Sequence, residues 1–243
     1  MRGLFVTGTD TGVGKTILSG ALLAAMAAAG EPVYAYKPVV TGLDELPQDG
    51  ASPFWPPDHE LLASVTGMSP ENVTPLRYGP AVSPHLAAEL AGEQLDPERM
   101  VADAALAATN GGGAARTVII EGVGGLLSPL AADFTVCDFA AALRLPILIA
   151  ARPGLGTINH TLLTLQAARA AGLSVCAVVL TPWPEQPSGL ESSNRREITR
   201  LGFVEVEVLG QAHGPDPAEL ARVGAELPWQ RWLGLRPAAL SGS

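Results

Sequence analysis

The sequence predicts an α/β fold in which a doubly wound, mainly parallel sheet carries helices on both faces as a three-layer sandwich. Short β-branched, apolar runs alternate with Ala- and Leu-rich stretches along the 243 residues, and this alternation is typical of βαβ units. The apolar runs contain few polar residues, as expected of strands that are covered on both faces. A glycine-rich turn joins the first apolar run to the first Ala/Leu stretch, and such a turn is a frequent ligand site in these folds.

Six runs have the composition of buried strands. They are Leu4–Thr7, Val33–Lys37, Thr117–Glu121, Ile147–Ala151, Val175–Thr181 and Val204–Leu209. Helix signals lie between them and predict helices from the glycine-rich turn to Ala29 with Gly30 after the C-cap, from Asp58, from Pro84, from Pro97, over Thr135–Leu143, over Thr157–Ala171 and around Leu190–Arg200. The segments Leu43–Pro57 and Gly111–Gly113 are predicted to be irregular. We expect one domain over residues 1–236 and a disordered tail over 237–243.

The net charge and composition of the chain limit the kinds of molecule that it is expected to bind. The net charge is −9 and the sequence contains no cluster of Lys and Arg, so we expect neither a nucleic acid nor a membrane as partner, but a small molecule. No segment is long and apolar enough to span a membrane, and the polar residues after the first apolar run are unlike a secretory signal. The two cysteines lie among apolar neighbours, which favours a reducing, cytoplasmic location with buried thiols.

The loop Gly8-Thr9-Asp10-Thr11-Gly12-Val13-Gly14-Lys15-Thr16 follows the first strand and opens the first helix. Glycines let successive N–H groups turn toward an anion, and the helix N-terminus adds partial positive charge. Lys15 supplies a point charge, and the Thr16 hydroxyl can ligate Mg²⁺. The usual phosphate-binding loop has a glycine six residues before the lysine, whereas this chain has Thr9 there and Gly8 one position earlier. The loop predicts nucleotide binding, and the alternative is a glycine-rich surface turn.

Charged residues end the second and third strands. Lys37 lies in Tyr36-Lys37-Pro38-Val39-Val40-Thr41-Gly42 and Glu121 in Glu121-Gly122-Val123-Gly124-Gly125-Leu126-Leu127. The carboxyl ends of parallel strands form one rim, where ligands bind. Lys37 therefore points to the site, although a strand-end lysine is often merely solvated. Glu121 ends a buried strand and needs a cation, either Mg²⁺ beside a nucleotide or Lys15 or Lys37 in an ion pair.

Taken together, five segments resemble the dethiobiotin synthetase family, whose fold is P-loop NTPase-like. Three are the loop over residues 8–16 and the segments beginning at Tyr36 and Glu121, the last extended through Ser128-Pro129-Leu130. The other two are Ser83-Pro84-His85 and Gly156-Thr157-Ile158-Asn159-His160. The resemblance covers about residues 3–182, and the out-of-register first glycine is a feature of this family.

This resemblance implies a cyclo-ligase that forms carbon–nitrogen bonds in biotin synthesis. The substrates would be 7,8-diaminopelargonate, CO₂ and ATP, with Mg²⁺ as cofactor. An amine captures CO₂ as a carbamate, ATP phosphorylates the carbamate, and the second amine closes the ring with loss of phosphate. The family enzyme is a homodimer with the substrate near the interface. An alkyl amine has a pKa near 10.4 and is mostly protonated at pH 7, so turnover is expected to rise with pH and with dissolved CO₂.

The resemblance also implies a set of site residues. Lys15, Lys37 and Thr16 form the catalytic set, and Lys37 is our hypothesis for the arginine-finger role because these motifs contain no arginine. Thr16, Asp58 and Glu121 occupy the magnesium positions. The nucleotide-binding residues are Gly12, Val13, Gly14, Lys15, Thr16, Ile17, Asp58, Glu121, Gly122, Val123, Gly124, Thr181 and Pro182. The substrate-binding residues are Thr11, Lys37, Thr41, Ser83, Gly156, Thr157 and Asn159, the last three on the helix that receives the distant carboxylate of the substrate from the neighbouring subunit.

The sequence departs from the family where the nucleotide base is expected. An asparagine commonly follows the fifth strand, whereas this strand runs into Thr181-Pro182-Trp183-Pro184. Proline lacks a backbone donor, and Trp183 offers a stacking face. Nucleoside triphosphates other than ATP are therefore expected to be accepted. Trp229 and Trp232 are predicted to be packing residues.

Two other functions share this opening motif. A ParA- or MinD-like ATPase switch usually carries a second lysine early in the loop, where this chain has Asp10. Such switches also tend to carry a basic surface or a C-terminal amphipathic helix, and the sequence has neither. An amidating ligase that acts on corrinoid side chains would normally carry an added glutamine-hydrolysing domain.

Overall fold

A computed structural model describes residues 1–45, 55–107 and 116–235. Over these residues the strands are β1 Gly3–Gly8, β2 Val33–Tyr36, β3 Val39–Val40, β4 Leu76–Arg77, β5 Thr117–Glu121, β6 Pro129–Ala131, β7 Phe134–Thr135, β8 Ile147–Ala151, β9 Val175–Trp183 and β10 Val206–Gly210. The helices are α1 Lys15–Ala28, α2 Asp58–Thr66, α3 Pro70–Val73, α4 Pro84–Leu90, α5 Pro97–Ala107, α6 Val136–Leu143, α7 Thr157–Ala170, α8 Gly189–Gly202, α9 Pro217–Gly224 and α10 Trp229–Trp232.

Six strands form the central sheet in the order β10-β9-β8-β1-β5-β2. Every neighbouring pair in this sheet is parallel, so the carboxyl ends of all six strands lie along one rim. β1 is central, with β5 on one side and β8 on the other. The loops that follow these three strands are therefore neighbours on the rim, where ligands of open α/β sheets bind.

Alternate side chains of the strands enter two apolar cores, one on each face of the sheet. Phe5, Ile120 and Ile149 belong to the core beneath α5, α6, α7 and α8. Their sequence neighbours Leu4 and Ile119, with others, belong to the core beneath α1, α2, α9 and α10. A sheet with one core on each face is a three-layer sandwich, and the predicted fold class is confirmed.

All six predicted sheet strands and all seven predicted helices are present, with shifts of one or two residues at several ends. β2 ends at Tyr36 rather than Lys37, and β9 continues through Trp183 instead of ending at Thr181. Thr135 is the N-cap of α6, with a capping box to Asp138. Gly30 follows the C-cap of α1 with a φ of 79°, as expected.

The prediction omitted several short elements and one well-packed helix. The two-stranded β3–β4 and β6–β7 sheets and helix α3 belong to regions that were assigned no structure. Helix α9 packs along α1: a Cβ added to Gly224 would lie 2.0 Å from the Ala21 carbonyl oxygen. Trp229 and Trp232 are buried, which confirms their predicted packing role. Residues 111–113 and the tail 237–243, which were predicted to be irregular or disordered, lie outside the described residues. The same holds for 46–54 within the predicted irregular segment Leu43–Pro57.

Candidate active site

The glycine loop connects the carboxyl end of β1 to the first residue of α1. Gly14 precedes Lys15 with a φ of 92°, and Gly12 has a φ of 68°, both in the left-handed region that glycine adopts without strain. A Cβ on Gly14 would also lie 2.7 Å from Thr181 Cγ2. The N–H groups of Gly12, Val13 and Gly14 donate to no backbone carbonyl among the described residues, so these donors are available to an anion.

Lys15 is buried at the start of α1, and no carboxylate of the described residues forms an ion pair with it. Its side chain is 7% exposed, and Nζ donates a hydrogen bond to the Asp10 carbonyl oxygen at 2.9 Å. Burial, followed by repulsion from Lys37, lowers the pKa of Lys15 from 10.5 to about 8. Its ammonium is thus incompletely neutralised by the chain itself, which favours binding of an anion.

Lys37 and Glu121 lie side by side because β2 and β5 pair in register. Tyr36 is opposite Ile120, so the residue after each lies at the same level of the rim. Lys37 Nζ lies 2.6 Å from Glu121 Oε1 and 2.7 Å from Asp58 Oδ2. The Thr16 hydroxyl donates to the same Glu121 oxygen at 2.8 Å. Of the two partners expected for Glu121, the lysine is therefore the one observed, as an ion pair with Lys37.

The ion pairs set the charge state of this cluster. Burial alone would lower the pKa of Lys37, but the carboxylates of Asp58 and Glu121 outweigh burial and hold that pKa above its ordinary value. Burial alone would raise the pKa of Asp58, and Lys37 together with the Thr16 hydroxyl holds it below its ordinary value. Lys37 and Asp58 consequently remain charged at neutral pH.

A second oxygen of Glu121 provides a test of whether the site suits a divalent cation. Glu121 Oε2 is buried and has no hydrogen-bond partner in the described part of the chain. It belongs to the same group of oxygens as Asp58 and the Thr16 hydroxyl, and oxygen donors of this kind suit Mg²⁺, which usually takes one or two carboxylates together with phosphates and waters. The residues present therefore fit the ion. The described residues contain no group of three or more His, Cys, Asp or Glu side chains placed to hold a metal.

Two adjoining cavities open at the rim. The phosphate cavity, of about 420 Å³, is lined by Lys15, Thr16, Lys37 and Asp58 among others. The substrate cavity, of about 430 Å³, is lined by Ser83, Pro84 and Ser128 among others. They share four lining residues, which are Thr11, Thr41, Val123 and Gly124. An acceptor in the second cavity would thus lie next to a phosphate in the first.

Most predicted site residues are brought together at these cavities. Gly12, Gly14 and Ile17 line the phosphate cavity. Val13 lies between the two glycines, and Gly122 directly precedes Val123, which also lines this cavity. Thr181 is buried against Gly14, while Pro182 is exposed. Trp183 packs partly buried against one core, so its face is less free to stack than the sequence indicated.

Gly156, Thr157 and Asn159 lie elsewhere, at the N-terminus of α7. Gly156 is the N-cap with a φ of 90°, and Gly156 and Asn159 are exposed. None of the three lines either cavity. Within one chain the two halves of the predicted substrate site are therefore separate.

The sequence analysis missed Arg152 and Trp55. Trp55 lines the phosphate cavity beside Asp58. Arg152 directly follows β8, and its Nη2 and Nε donate to the Gly12 carbonyl oxygen at 3.2 and 3.4 Å. Its position directly after the apolar run that forms β8 was a usable signal for the rim, because the same reasoning identified Lys37 and Glu121, but the contact with Gly12 depends on the pairing of β8 with β1.

Comparisons with known proteins identify the families to which the chain is similar. A family model described as an AAA domain matches residues 2–214. The chain is 42% identical over 225 residues to an ATP-dependent dethiobiotin synthetase BioD of Anaeromyxobacter dehalogenans, covering 91% of this chain and 95% of that protein. It is 36% identical to proteins of the same name from Mycobacterium sp. strain JLS, over 96% of this chain and 98% of that one, and from Bacillus subtilis, over 83% of each.

Solved structures agree at the level of the fold. The MinD chain of a MinC:MinD cell division complex from Aquifex aeolicus aligns with a TM-score of 0.54 at 12% identity, covering 92% of this chain and 86% of that one. McdA in an ATP complex from Cyanothece aligns with a TM-score of 0.52 at 12% identity, over 98% of each chain. At this identity the likeness extends to the fold alone. None of the described helices is long and apolar enough to cross a membrane.

Proposed function

Because the chain belongs to the AAA domain family and to the family of ATP-dependent dethiobiotin synthetases, we propose that it is a cyclo-ligase that closes the ureido ring of dethiobiotin. Its substrates would be 7,8-diaminopelargonate, CO₂ and ATP. One amine of the substrate binds CO₂ as a carbamate, the γ-phosphoryl group of ATP passes to a carbamate oxygen, and ADP leaves. The second amine then attacks the carbamate carbon, and phosphate leaves as the ring closes.

The observation that carries the proposal is the shared wall of the two cavities. Thr11, Thr41 and Gly124 line both, so the acceptor can lie against the terminal phosphate without a covalent enzyme intermediate. Phosphoryl transfer between two bound substrates depends mainly on positioning and on neutralising charge. The hydroxyls of Thr41 and Ser83 supply hydrogen bonds that could orient the carbamate and the amines.

Lys15 and Lys37 supply different parts of the neutralisation. A unit charge about 4 Å from an anion contributes about 4 kcal/mol at an effective dielectric near 20, whereas a helix N-terminus contributes about 0.3–1 kcal/mol. Lys15, whose ammonium forms no ion pair within the described part of the chain, would bind the β- and γ-phosphates. Lys37 would face the carbamate and the transferred phosphoryl group while Asp58 and Glu121 keep it protonated.

We propose Mg²⁺ as the cofactor, held by Thr16, Asp58 and Glu121. When bound, the ion would neutralise the polyphosphate and polarise its oxygens. One support is the buried Glu121 Oε2, which has no hydrogen-bond partner among the described residues. The other is charge: Asp58 and Glu121 pair with Lys37, so Lys15 alone would neutralise only part of the charge of a triphosphate.

We also propose a homodimer in which the N-terminus of α7 of one subunit completes the substrate site of the other. Leu155, beside Gly156, is 92% exposed, and Leu127 and Leu163 are also exposed. Such leucines are costly to leave in water and favour an interface. A neighbouring subunit would bring the N-terminus of α7, with Gly156, Thr157 and Asn159, to the distant carboxylate of the substrate; the separation of this helix from both cavities within one chain supports the proposal.

The test is mass spectrometry of the purified protein incubated with 7,8-diaminopelargonate, bicarbonate, Mg²⁺ and ATP. We expect the cyclic urea and one phosphate per product, both lost when CO₂ or Mg²⁺ is omitted. Replacing ATP by CTP or GTP in the same assay tests the expected tolerance for other bases at Thr181 and Pro182. ATP hydrolysis without cyclic urea would contradict the ligase. The two free cysteines fit our proposal of a cytoplasmic location.

A further inference from the structure

Arg152 contacts the glycine loop from outside. The residue follows β8, which pairs with β1 so that Ala150 lies opposite Gly8, and the Thr9 N–H donates to the Ala150 carbonyl oxygen at 3.0 Å. From this position two nitrogens of the guanidinium donate to the Gly12 carbonyl oxygen. A Cβ on Gly12 would lie 3.1 Å from Arg152 Nη2, so a side chain at residue 12 would crowd this contact.

The charge of Arg152 has no carboxylate partner in the described part of the chain. Arg2, Arg77, Arg99, Arg195, Arg200, Arg222 and Arg231 each form an ion pair with a carboxylate. Among the described residues, Arg152 donates to the Gly12 carbonyl oxygen and forms no ion pair, although the protein carries a net charge of −9. Arg169 is also exposed and also donates to carbonyl oxygens, those of Gly202 and Phe203. What distinguishes Arg152 is that the carbonyl it contacts belongs to the glycine loop.

The backbone that carries Arg152 is fixed from its other side. The buried Asn194 of α8 donates through Nδ2 to the carbonyl oxygens of Pro153 at 2.9 Å and Gly154 at 3.0 Å. These bonds hold the segment between β8 and α7 against α8. Arg152 thus reaches the glycine loop from a segment that is anchored to the body of the protein.

We propose that Arg152 is a positioning residue of the phosphate site, acting through the peptide between Gly12 and Val13. In a planar trans peptide the C=O and the N–H point in opposite directions. By holding the Gly12 oxygen outward, Arg152 directs the Val13 N–H to the inner side of the loop, where the phosphates of the nucleotide bind. Gly12 at a φ of 68° offers little resistance to rotation of this peptide, so an external contact is needed to fix it.

This inference deepens the proposed function and rests on its nucleotide site, but not on the ring-closing reaction. Its test is therefore calorimetric titration of ADP, and of ATP without 7,8-diaminopelargonate, into wild-type protein and three variants. Arg152→Met removes the donors and keeps the aliphatic stem, Arg152→Lys keeps a donor and the charge, and Arg196→Met removes one exposed arginine elsewhere and controls for the change in net charge.

Loss of one charged hydrogen bond that orders the loop is expected to weaken ADP and ATP binding about tenfold, and equally, in Arg152→Met. Arg152→Lys should retain most of the affinity, and Arg196→Met all of it. In steady-state assays KM for ATP should rise about tenfold while kcat and KM for 7,8-diaminopelargonate stay nearly constant. Unchanged ADP affinity in Arg152→Met would overturn the proposal, as would a loss confined to ATP, which would indicate direct contact with the γ-phosphate. If no cyclic urea forms with any variant, the ligase fails, while the ADP titrations still decide the role of Arg152.

Discussion

Lys15 and Lys37 are the only lysines in the sequence, and the structure places both in one site under opposite conditions. Both are buried, at 7% and 3% exposure. Lys37 lies between two carboxylates, which hold its pKa above its ordinary value. Lys15 donates to a carbonyl oxygen and forms no ion pair among the described residues, and burial lowers its pKa to about 8. Depth of burial is therefore not what distinguishes them; the difference is the presence of a partner.

This difference in partners indicates that the two lysines have different roles in the site. A buried cation without a carboxylate is unstable alone and gains most when an anion arrives, so Lys15 suits binding of a phosphate that comes and goes. A cation fixed by two carboxylates contributes to the folded structure and orients them, so Lys37 ties Asp58 on α2 to Glu121 on β5. Substitution of the two lysines should accordingly change stability in opposite directions.

The largest expected effect is that of Lys37→Met on folding. The substitution leaves Glu121 fully buried without its cation, and loss of one partner of a buried ion pair lowers the free energy of unfolding by about 3–5 kcal/mol. The lower end applies here because Asp58 is 41% exposed. Urea unfolding without nucleotide or Mg²⁺ measures this loss of stability. Arg200→Met removes one partner of the exposed ion pair to Glu197 and should leave the midpoint nearly unchanged. A Lys37→Met midpoint equal to that of the wild type would contradict the structural task.

Lys15→Met should have a smaller effect of the opposite sign. The unfolded chain keeps the Lys15 proton up to its ordinary pKa of 10.5, whereas the folded chain loses it near pH 8. Charged Lys15 therefore destabilises the folded state below pH 8, and this penalty disappears between pH 8 and 10.5.

At pH 7, without ligands, Lys15→Met is expected to raise the free energy of unfolding by about 1–3 kcal/mol, while ADP binding is lost. Urea unfolding at pH 7 and pH 10 should show the gain shrinking. Lys15→Arg, which keeps the charge, is the control and should not be stabilised. A destabilised Lys15→Met at pH 7 would mean that the contact with the Asp10 carbonyl outweighs the cost of burial.

The sequence predicted the parts of this site that depend on strand order and failed where long-range packing decides. Lys37 and Glu121 each end an apolar run, and the shared rim of a parallel sheet brings such residues together. Asp58 was found only through the resemblance, because nothing local indicates that its helix approaches the rim. Arg152 lies in no motif, and its contact depends on the register of β8 against β1.

The fold shows the same division. The buried strands were predicted because their composition is local information. Helix α9 follows Gly214-Pro215-Asp216, which resembles a loop, although Asp216 is an N-cap and Pro217 occupies the first turn. Its close packing of Gly224 on Ala21 joins residues about 200 positions apart, and such contacts are not visible in a local pattern.

The smallest expected effect is the pH dependence of nucleotide binding, which tests the Lys15 half of the comparison directly. Phosphate binding requires the ammonium, so affinity for ADP should follow the protonated fraction of Lys15 and fall roughly tenfold between pH 7.5 and pH 9 in calorimetric titrations. Binding is measured rather than turnover because the amines of 7,8-diaminopelargonate lose protons as the pH rises. That change raises turnover and would mask the loss of ADP affinity. The ADP affinity of Lys15→Arg should not change with pH over this range.

Chemical labelling tests the same comparison a second way, because the chain has only two lysines. Acylation of amines followed by peptide mass spectrometry can follow each one. Lys15 should react with a midpoint near pH 8 and be protected by ADP, and Lys37 should stay unreactive. Equal labelling of both lysines, with midpoints above pH 10, would show that Asp58 and Glu121 stabilise the charged form of both. Lys15 and Lys37 would then not differ in their electrostatic partners.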